Sequence, residues 1–336
     1  MNDTKVVTIE DVALAAGVSK TLVSRYLNDK PGVGVANKER IAAAIKQLGY
    51  RRNEIARSLV QQKTGAIGVI LDTLCAVYFF DLIDGLGAGG IETGYDIIFC
   101  DCRKDADVKR KYLDYFSHGR ADGLIIYGSR FSDNQIFTDF SNVSFPFVFI
   151  ENDIPNINAD KVLLDNRGAF SQLVNRLYGK GYRDIRLVGW KFNTFAFQER
   201  LEGFMAGMKE CGLNIDDSVI CHVNSVEETK AVAGDWIDKK TLPEAIVFSN
   251  DQLAFAAMEV FLDKGVNVPG DVAVASFDNG LYLKRDRIMP AITTMEQPLF
   301  EMGKSAIHIL AERISNPDCA KKKLIYAAKL IEGVTD

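Results

Sequence analysis

Two short segments near the N-terminus carry apolar residues at helical spacing. Ile9, Val12 and Ala16 lie on one face of the first segment, and Val23 and Leu27 continue the spacing after a Gly-Val-Ser break. Apolar residues three and four positions apart are typical of a helix that buries one face. The pattern therefore predicts two short amphipathic helices that pack on each other.

Polar residues mark the beginnings of these helices. Thr8 and Ser19 each stand before an apolar run, where a hydroxyl can accept from backbone amides that lack a partner within the helix. A third amphipathic helix is predicted over residues 36–48, with Gly49 ending it. This order is typical of a helix-turn-helix, whose second helix enters the major groove of DNA. We therefore expect a DNA-binding head.

From residue 66 onward, short apolar runs alternate with longer segments of helical periodicity. The predicted strands are residues 66–71, 96–100, 123–127, 147–150, 185–190, 245–248 and 272–277. The predicted helices are residues 79–93, 107–118, 167–180, 198–211, 226–237, 252–264 and 298–314. Alternation of this kind predicts an α/β fold with parallel sheets covered by helices on both faces. Because so long a stretch exceeds one such sheet, we expect two similar halves with a cleft between them.

The distribution of charge also separates the N-terminal head from the rest of the chain. Residues 1–63 contain 11 Lys or Arg and 6 Asp or Glu, a net charge of +5, whereas the whole chain of 336 residues carries −5. The remaining residues therefore carry −10. A basic head attached to an acidic body favours a polyanionic partner for the head alone.

The cysteines and histidines do not indicate a metal or a disulfide framework. Six cysteines are scattered, and the three histidines show no paired spacing, so Cys100 and Cys102 lack the further ligands that zinc needs. We expect reduced thiols, no metal and no cofactor. The sequence shows neither a signal peptide nor an apolar run of the ~20 residues that a membrane helix requires. A cytoplasmic, nucleoid-associated protein is the expectation.

A glycine-rich segment raises a competing interpretation. Residues 85–90 fit G-x-G-x-x-G, with Asp105 and Asp107 further along the chain, as in a nicotinamide-dependent dehydrogenase. That motif requires its first glycine directly after a strand, but here a helical pattern already precedes it. We therefore interpret the glycines as sites of close helix packing. No Ser, His and Asp arrangement suggests catalysis, and an enzyme is not expected.

Four sequence segments resemble the lactose and galactose repressor (LacI/GalR) family of bacterial transcription regulators. They are TIEDVALAAGVSKTLVSRYLN with LGYRRNEIARSL in the head, and SNDQLAFAAMEVFLDKGVNVPGDVAVASFDN continuing into AITTMEQPLFEMG near the C-terminus. The resemblance covers nearly the whole chain. It implies a DNA-binding head, a hinge helix and a two-lobed effector domain shaped like the periplasmic sugar-binding proteins. A sugar-binding transport receptor would fit the body but not the basic head.

The resemblance also implies domain boundaries. The head with its hinge helix (about 53–60) spans residues 1–62, and the effector and dimerisation domain spans residues 63–336. The expected lobes are residues 65–163 with 292–322, and residues 164–291 with 323–336.

Placed on the family pattern, the second helix of the head carries the residues that meet DNA. The expected base contacts come from Lys20, Thr21 and Arg25, and the expected phosphate contacts from Ser19, Ser24 and Asn28. The alternative is that Lys20 and Arg25 only form a solvated face. Gly34 replaces the usual serine cap of the third helix.

The hinge helix is expected to enter the minor groove when two subunits pair. Ala56 and Leu59 lie three residues apart, and the family places a leucine wedge between base steps at the second position. The alternative for Leu59 is packing against the head. Arg52 stands where the family usually has proline, which leaves the hinge less preorganised.

The resemblance implies seven positions that face an effector in the cleft, because the family's ligand-facing positions map onto Asp72, Phe79, Phe80, Glu151, Arg200, Asn250 and Asp278. Carboxylates, an amide and a guanidinium around aromatic rings suit a polyhydroxylated ligand, so a sugar or sugar derivative is favoured and a nucleobase or other metabolite comes next. The structural alternatives are an Arg200–Asp278 ion pair and a helix cap by Asn250. Trp190 and Phe192 either line the cleft or belong to the core. Ser276, where glycine is common, is expected to narrow the approach to Asp278.

These expectations combine into an effector-controlled regulator, most simply a repressor. It would act as a homodimer on a pseudo-palindromic operator, with the effector changing how the two first lobes meet. A phosphocarrier protein is an alternative corepressor. The residues leave open whether the effector releases DNA or promotes binding.

Overall fold

The computed structural model describes residues 7–51, 63–74, 79–128, 130–191, 194–280 and 290–336. The chain divides into two compact units, Met1–Lys63 and Thr64–Asp336. They are called the head and the body below. Within the described residues, no helix is long and apolar enough to span a membrane.

The head contains the three helices that the apolar pattern predicts. They are α1 (Ile9–Ala16), α2 (Lys20–Leu27) and α3 (Val35–Leu48). Val12, Val23 and Ile41 contribute one fully buried side chain from each helix. Gly17 ends α1 with φ of 62°, a left-handed conformation that glycine adopts without strain and that turns the chain into α2. The helix-turn-helix prediction is confirmed.

The first lobe of the body is built on a parallel sheet. Its strands are β1 (Ala66–Leu71), β2 (Asp96–Asp101), β3 (Gly123–Tyr127), β4 (Phe147–Ile150), β5 (Asp160–Leu164) and β11 (Lys323–Tyr326). Its helices are α4 (Phe79–Thr93), α5 (Ala106–Ser117), α6 (Asn134–Ser141) and α11 (Leu299–Ser315). In the described part of the chain the strand order is β11-β5-β4-β3-β1-β2, and all paired neighbours are parallel.

The second lobe repeats this architecture. Its strands are β6 (Ile185–Trp190), β7 (Ile220–Val223), β8 (Ala245–Phe248), β9 (Ala273–Asp278), β10 (Thr293–Glu296) and β12 (Lys329–Ile331). Its helices are α7 (Asn166–Gly179), α8 (Phe195–Glu210), α9 (Val226–Asp238) and α10 (Asp251–Asp263). The described strands follow the order β12-β10-β9-β8-β6-β7, with only the β10–β12 pair antiparallel. The predicted two-lobed α/β class is confirmed.

The expected lobe boundaries need correction at two strands. β10 pairs with β9 in the second sheet, although residues 292–322 were assigned to the first lobe. β11 pairs with β5 in the first sheet, although residues 323–336 were assigned to the second. The chain therefore passes between lobes after β5, after β10 and between β11 and β12. The error arose because β10 was not recognised as a strand, so the second passage was placed before it.

Small residues bring α4 and α11 close together in the first lobe. A Cβ atom on Gly85 would collide with the backbone of Phe300, and one on Gly303 would collide with the backbone of Leu82. Glycine at these positions removes the side chain that would hold the two helices apart. The glycines in residues 85–90 thus lie inside a helix, as their sequence context predicted, and not in a strand-to-helix turn.

Candidate functional site

The second helix of the head presents its polar side to solvent. Lys20, Thr21 and Arg25 are exposed, whereas Val23 on the opposite side is fully buried in the head core. Ser19 Oγ accepts a hydrogen bond of 3.2 Å from Leu22 N and so caps α2. The cap orients the N-terminal end of the helix that the motif directs at base edges.

Two of the predicted base-contacting side chains form contacts with other residues of the head. Lys20 Nζ lies 2.8 Å from Glu10 Oε1, and both side chains are exposed. Arg25 donates to the carbonyl oxygen of Pro31, from Nη2 at 2.8 Å and from Nε at 3.2 Å. Because exposed ion pairs contribute only ~0–1 kcal/mol, DNA phosphates and bases can compete for Lys20. Arg25 must give up its hydrogen bonds to the carbonyl oxygen of Pro31 before it can contact a base.

Of the remaining residues expected to contact DNA, some lie within the described part of the structure and others do not. Asn28 Nδ2 donates to Ser24 O at 2.7 Å, so these two expected phosphate-binding residues close the last turn of α2. Ala56 and Leu59 of the hinge, together with Arg52, lie outside the described residues.

In the body, a cavity of about 460 Å³ lies where strand ends of both sheets meet. Six of the seven expected effector-binding residues line it: Asp72, Phe79, Glu151, Arg200, Asn250 and Asp278. Asp72, Phe79 and Glu151 come from the first lobe and the other three from the second. Carboxyl ends of parallel strands are where α/β folds bind ligands. The structure therefore brings together residues that are up to 206 positions apart, from Asp72 to Asp278.

Phe80 is the expected residue that the structure does not bring to the cavity. Phe79 is 2% exposed and packs edge-on against Tyr127, with ring centroids 4.8 Å apart, whereas Phe80 is 59% exposed. Successive residues on a helix point about 100° apart, so two adjacent phenylalanines at the start of α4 cannot both face the cleft. The expectation for Phe80 is wrong.

Arg200 lies at the centre of the polar wall. Its Nη1 donates to Ser249 O at 2.9 Å and lies 3.8 Å from Asp278 Oδ1, while the guanidinium stacks 3.9 Å from the Phe277 ring centroid. Arg200 Nε donates to Asn166 Oδ1 at 2.9 Å. The ion pair with Asp278 that was considered as a structural alternative is thus present, and the pair also lines the cavity. The guanidinium is fixed in place before a ligand enters.

Asn166 joins the two lobes beneath this wall. Its Nδ2 donates to Glu151 Oε2 at 3.1 Å, and Glu151 Oε1 also accepts from Leu164 N at 2.7 Å. Glu151 is 6% exposed, and burial raises the pKa of its carboxyl. Since Asn166 also accepts from Arg200, it forms a polar connection from the end of β4 to α8.

Asp72 occupies the opposite, first-lobe wall. Its Oδ1 lies 2.6 Å from the ammonium of Lys109, which is 2% exposed and is also 2.5 Å from Asp133 Oδ2. Burial raises the pKa of Asp72 despite the opposing charge of Lys109. Lys109 and Asp133 were not identified from the sequence, because a lysine in an amphipathic helix is typical of an exposed face.

Two carboxyl groups in the second lobe titrate near neutral pH. Burial raises the pKa of Asp278 to about 7, against the opposing charge of Arg200, and burial raises the pKa of Asp251 to about 6. Asp278 Oδ1 accepts from Gln297 Nε2 at 2.7 Å. Asp251 accepts from Gly280 N and from Thr294 Oγ1, at 2.8 and 2.9 Å. A ligand that donates to Asp278 would favour its ionised form.

Asn250 both caps a helix and lines the cavity. Its side chain accepts from Leu253 N at 3.3 Å, so the capping alternative is correct, while the residue remains in the cavity wall. Trp190 also lines the cavity, whereas Phe192 lies outside the described residues. Ser276 is fully buried in β9 and is not part of the cavity lining.

Sequence reasoning missed two cavity residues that have unused hydrogen-bonding capacity. Ser249 is 2% exposed and Gln297 is 5% exposed; among the described residues, Ser249 Oγ and Gln297 Oε1 have no hydrogen-bond partner. Both residues directly follow parallel strands, β8 and β10, which is the signal that would have identified them. Buried polar atoms without a partner cost free energy unless a ligand or water satisfies them.

Comparison with known proteins identifies the family. Residues 8–53 match the bacterial regulatory proteins of the lacI family, and residues 174–335 match a periplasmic binding protein-like domain. The HTH-type transcriptional repressor PurR of Vibrio cholerae serotype O1 is 30% identical over 98% of this chain and 97% of the relative. The chain belongs to the lacI family of bacterial regulatory proteins.

Another sequence relative and two solved structures match this chain at similar coverage. The HTH-type transcriptional regulator RegA of Clostridium saccharobutylicum is 29% identical over 97% of this chain and 98% of the relative. The structure of a lac repressor dimer bound to operator and the anti-inducer ONPF has a TM-score of 0.86 at 21% identity, covering 98% of this chain and 99% of that one. A CelR–cellobiose complex has a TM-score of 0.72 at 23% identity, covering 98% and 100%.

Membership of the lacI family decides between the functional alternatives. The chain is a DNA-binding transcriptional regulator with an effector-binding body, as the resemblance implied, and it is not an enzyme. The dehydrogenase interpretation of the glycine motif is therefore wrong.

Proposed function

We propose that this regulator binds a pseudo-palindromic operator as a homodimer and that a sugar or sugar derivative, bound between the lobes, sets its operator affinity. The observation that carries the effector class is the composition of the cavity wall. Asp72, Glu151, Asp278 and Gln297 offer acceptor oxygens, and Arg200 offers a fixed donor. A ligand bearing several hydroxyls can donate to these oxygens and accept from the guanidinium at the same time.

Aromatic side chains in the same wall support a ring-shaped ligand. Phe79, Tyr127, Trp190 and Phe197 all line the cavity, from both lobes. The apolar face of a sugar ring packs on such side chains while its hydroxyls meet the polar groups. A solved relative in complex with cellobiose supports the same class. The second candidate is a nucleobase, which the relatives named PurR favour and which can also pack on aromatic side chains.

The homodimer contact is assigned to the outer face of α4 and the neighbouring edge of the first sheet. Ile91 is 86% exposed, Phe80 is 59% exposed and Ile98 on the edge strand β2 is 40% exposed. Between Phe80 and Ile91, a Cβ on Gly87 would have no atom within 4 Å among the described residues, so a partner can approach closely. The lac repressor dimer among the solved relatives supports a second copy as the occupant.

Coupling between cleft and operator follows from linkage. A ligand that favours one arrangement of the lobes changes the position of the α4 faces and hence the spacing of the two heads. In this proposal Lys20, Thr21 and Arg25 read bases, Ser19, Ser24 and Asn28 meet phosphates, and Ala56 and Leu59 enter the minor groove. Binding to the chromosome places the protein in the cytoplasm, associated with the nucleoid.

A thermal-shift panel of glucose, ribose, cellobiose, glucose 6-phosphate, adenine and hypoxanthine tests the effector class. A true effector at 100 times its Kd stabilises the body by ~2.7 kcal/mol. We expect a sugar to raise the Tm of the wild type and of Arg167→Ala, an exposed arginine on α7 outside the cavity, but not that of Arg200→Ala. Arg200→Ala should still bind operator and lose the response to the effector.

Stabilisation by nucleobases alone would contradict the sugar class and favour the second candidate. A normal effector response in Arg200→Ala would contradict the assignment of the site. The remaining alternative, a phosphocarrier corepressor, is favoured only if such a protein binds the body and strengthens operator binding in the absence of any panel compound.

A further inference from the structure

Lys109 is an unusual residue to find in the core of the first lobe. It is among the largest fully buried side chains, and its ammonium lies between the carboxylates of Asp72 and Asp133 and 5.5 Å from the Phe137 ring centroid. Burial lowers the pKa of Lys109, but the two carboxylates outweigh burial and leave the pKa above its ordinary value. A charged lysine therefore connects Asp72, which lines the effector cavity, to Asp133, which does not.

Asp133 in turn orders the segment that touches the other lobe. Its Oδ2 accepts from the backbone N of Arg130 at 3.2 Å, at the start of the short 3-10 helix Phe131–Asp133. Arg130 forms an antiparallel β-bridge with Thr194, which belongs to the second lobe. The Lys109–Asp133 pair is thus connected, through Arg130, to a backbone contact between the lobes.

An aromatic pair reinforces this contact. Phe131 and Phe195 pack edge to face, with ring centroids 4.5 Å apart and an interplanar angle of 82°. Phe195 also packs against the apolar core of the first lobe. We refer to Arg130, Phe131, Thr194 and Phe195 as the latch. This edge-to-face pair therefore adds an aromatic contact between the lobes beside the Arg130–Thr194 bridge.

On the second-lobe side, the latch is connected to the effector cavity through Thr194. Thr194 caps α8 by accepting from Phe197 N at 3.2 Å, and α8 carries Arg200. Thr194, Phe197 and Arg200 all line the cavity. The latch therefore lies between Asp72 with its buried lysine on one wall and Arg200 on the other.

We propose that Lys109 is a positioning residue that couples Asp72 in the effector cavity to the latch and so favours the closed arrangement of the lobes. The inference rests on the proposed function only in taking this cavity as the effector site. Lys109 positions the carboxylate of Asp133, which accepts from Arg130 N. Asp133 in turn holds Phe131 against Phe195. A ligand that draws Asp72 toward itself weakens or strengthens the latch through the same ammonium.

The test uses the full chain without any effector, so its outcome is independent of the effector's identity. Hydrogen exchange is measured at the amides of Phe197 and Gln198, which bond to Thr194 in the second lobe. In Lys109→Met we expect these amides to exchange about tenfold faster while the core strand β8 is unchanged. Lys111→Met, at an exposed lysine of the same helix, should behave as wild type. A purely structural role for Lys109 would speed exchange in the first lobe alone.

Two further variants keep the proposal testable if Lys109→Met does not fold. Lys109→Met with Asp133→Asn removes one of the two carboxylates that lose the ammonium and should fold with the latch still released. In the reverse direction, Phe195→Ala should speed exchange of the Lys109 amide, which bonds to Asp105 O in the first lobe. Wild-type exchange at Phe197 and Gln198 in the double variant, or at Lys109 in Phe195→Ala, would overturn the coupling.

Discussion

At the scale of single residues, the carboxyl groups of the cavity differ in which neighbouring groups compensate their charge. Glu151 accepts from Leu164 and Asn166, and Asp72 is paired with Lys109. Asp278 has one hydrogen bond from Gln297 and lies 3.8 Å from Arg200, a long separation for an ion pair. Burial raises the pKa of its carboxyl to about 7, against the opposing charge of Arg200.

Stability of the body should therefore depend on the ionisation of Asp278. The folded pKa of about 7 is above that of the unfolded chain, so the native state retains a proton that the unfolded state has lost. The free energy of unfolding should fall as pH rises from about 4 to about 7 and then level off, by on the order of 4 kcal/mol from this group. Asp278→Asn should flatten that decline.

The measurement is urea unfolding of the body between about pH 4 and about pH 8, which covers the predicted decline and the level region above it. Asp271→Asn, at an exposed carboxyl in the same lobe, is the matched control and should retain the wild-type pH profile. An identical decline in wild type and Asp278→Asn would show that Asp278 is not the titrating group. Asp251, with a pKa of about 6, contributes the same sign at lower pH.

Particular residues show how far the sequence predicts the site. Asp72, Phe79, Glu151, Arg200, Asn250 and Asp278 were all found because they stand at strand ends or helix starts of the family pattern. Gln297 was missed because the preceding strand, Thr293–Glu296, is too short and polar to predict. Lys109 was missed because burial of a lysine depends on carboxylates that come from other elements. Partners distant in sequence leave no local pattern.

At the scale of elements, apolar continuity decides which strands are predictable. β1 is buried at every position and was predicted with its observed bounds. β5 begins with Asp160 and Lys161, both buried, and was missed. Asp160 binds Arg313 at 2.9 and 3.1 Å, so its burial is compensated by a helix about 150 residues away. Such long-range compensation cannot be read from a local hydrophobic pattern.

The outer face of α4 carries a prediction at this scale. Ile91→Glu places a charge in the proposed contact between two copies, where burial without a partner is costly. We expect the dimer to dissociate at micromolar concentration in sedimentation velocity, with little change in Tm of the monomer because Ile91 is 86% exposed.

Val143→Glu provides the control, because Val143 is another exposed apolar residue of the first lobe, 48% exposed, outside the α4 face. That variant should sediment as wild type. If Ile91→Glu remained dimeric, the α4 face would not be the interface.

At the scale of the whole molecule, the division of charge matches the division of labour. The head, with net charge +5, attracts polyanionic DNA, whereas the body, with net charge −10, is repelled by it. The side chains proposed to read bases have modest intramolecular partners, Glu10 for Lys20 and Pro31 O for Arg25, which DNA would replace in this proposal. Sequence-independent affinity then comes from the head charge, and specificity requires further contacts.

Leu59 is the residue through which pairing of two subunits should add specificity. A leucine wedged between base steps kinks DNA, which only a correctly spaced operator with a deformable centre permits at low cost. Leu59→Ala should therefore weaken binding to the operator by tenfold or more, on the order of 1.4 kcal/mol, and leave binding to random duplex nearly unchanged. The operator is the duplex that wild-type protein selects from a random pool, and affinities are measured by fluorescence anisotropy.

The salt dependence separates this role from a general loss of DNA contact. Leu59→Ala removes no charge, so the slope of log K against log salt should equal that of wild type. Lys20→Ala provides the contrast, since losing a cation at the DNA surface should reduce that slope by about one if it meets a phosphate and relax base preference if it meets a base. Equal loss of operator and random-duplex affinity in Leu59→Ala would mean that the leucine only packs against the head. Specificity would then reside in α2 alone.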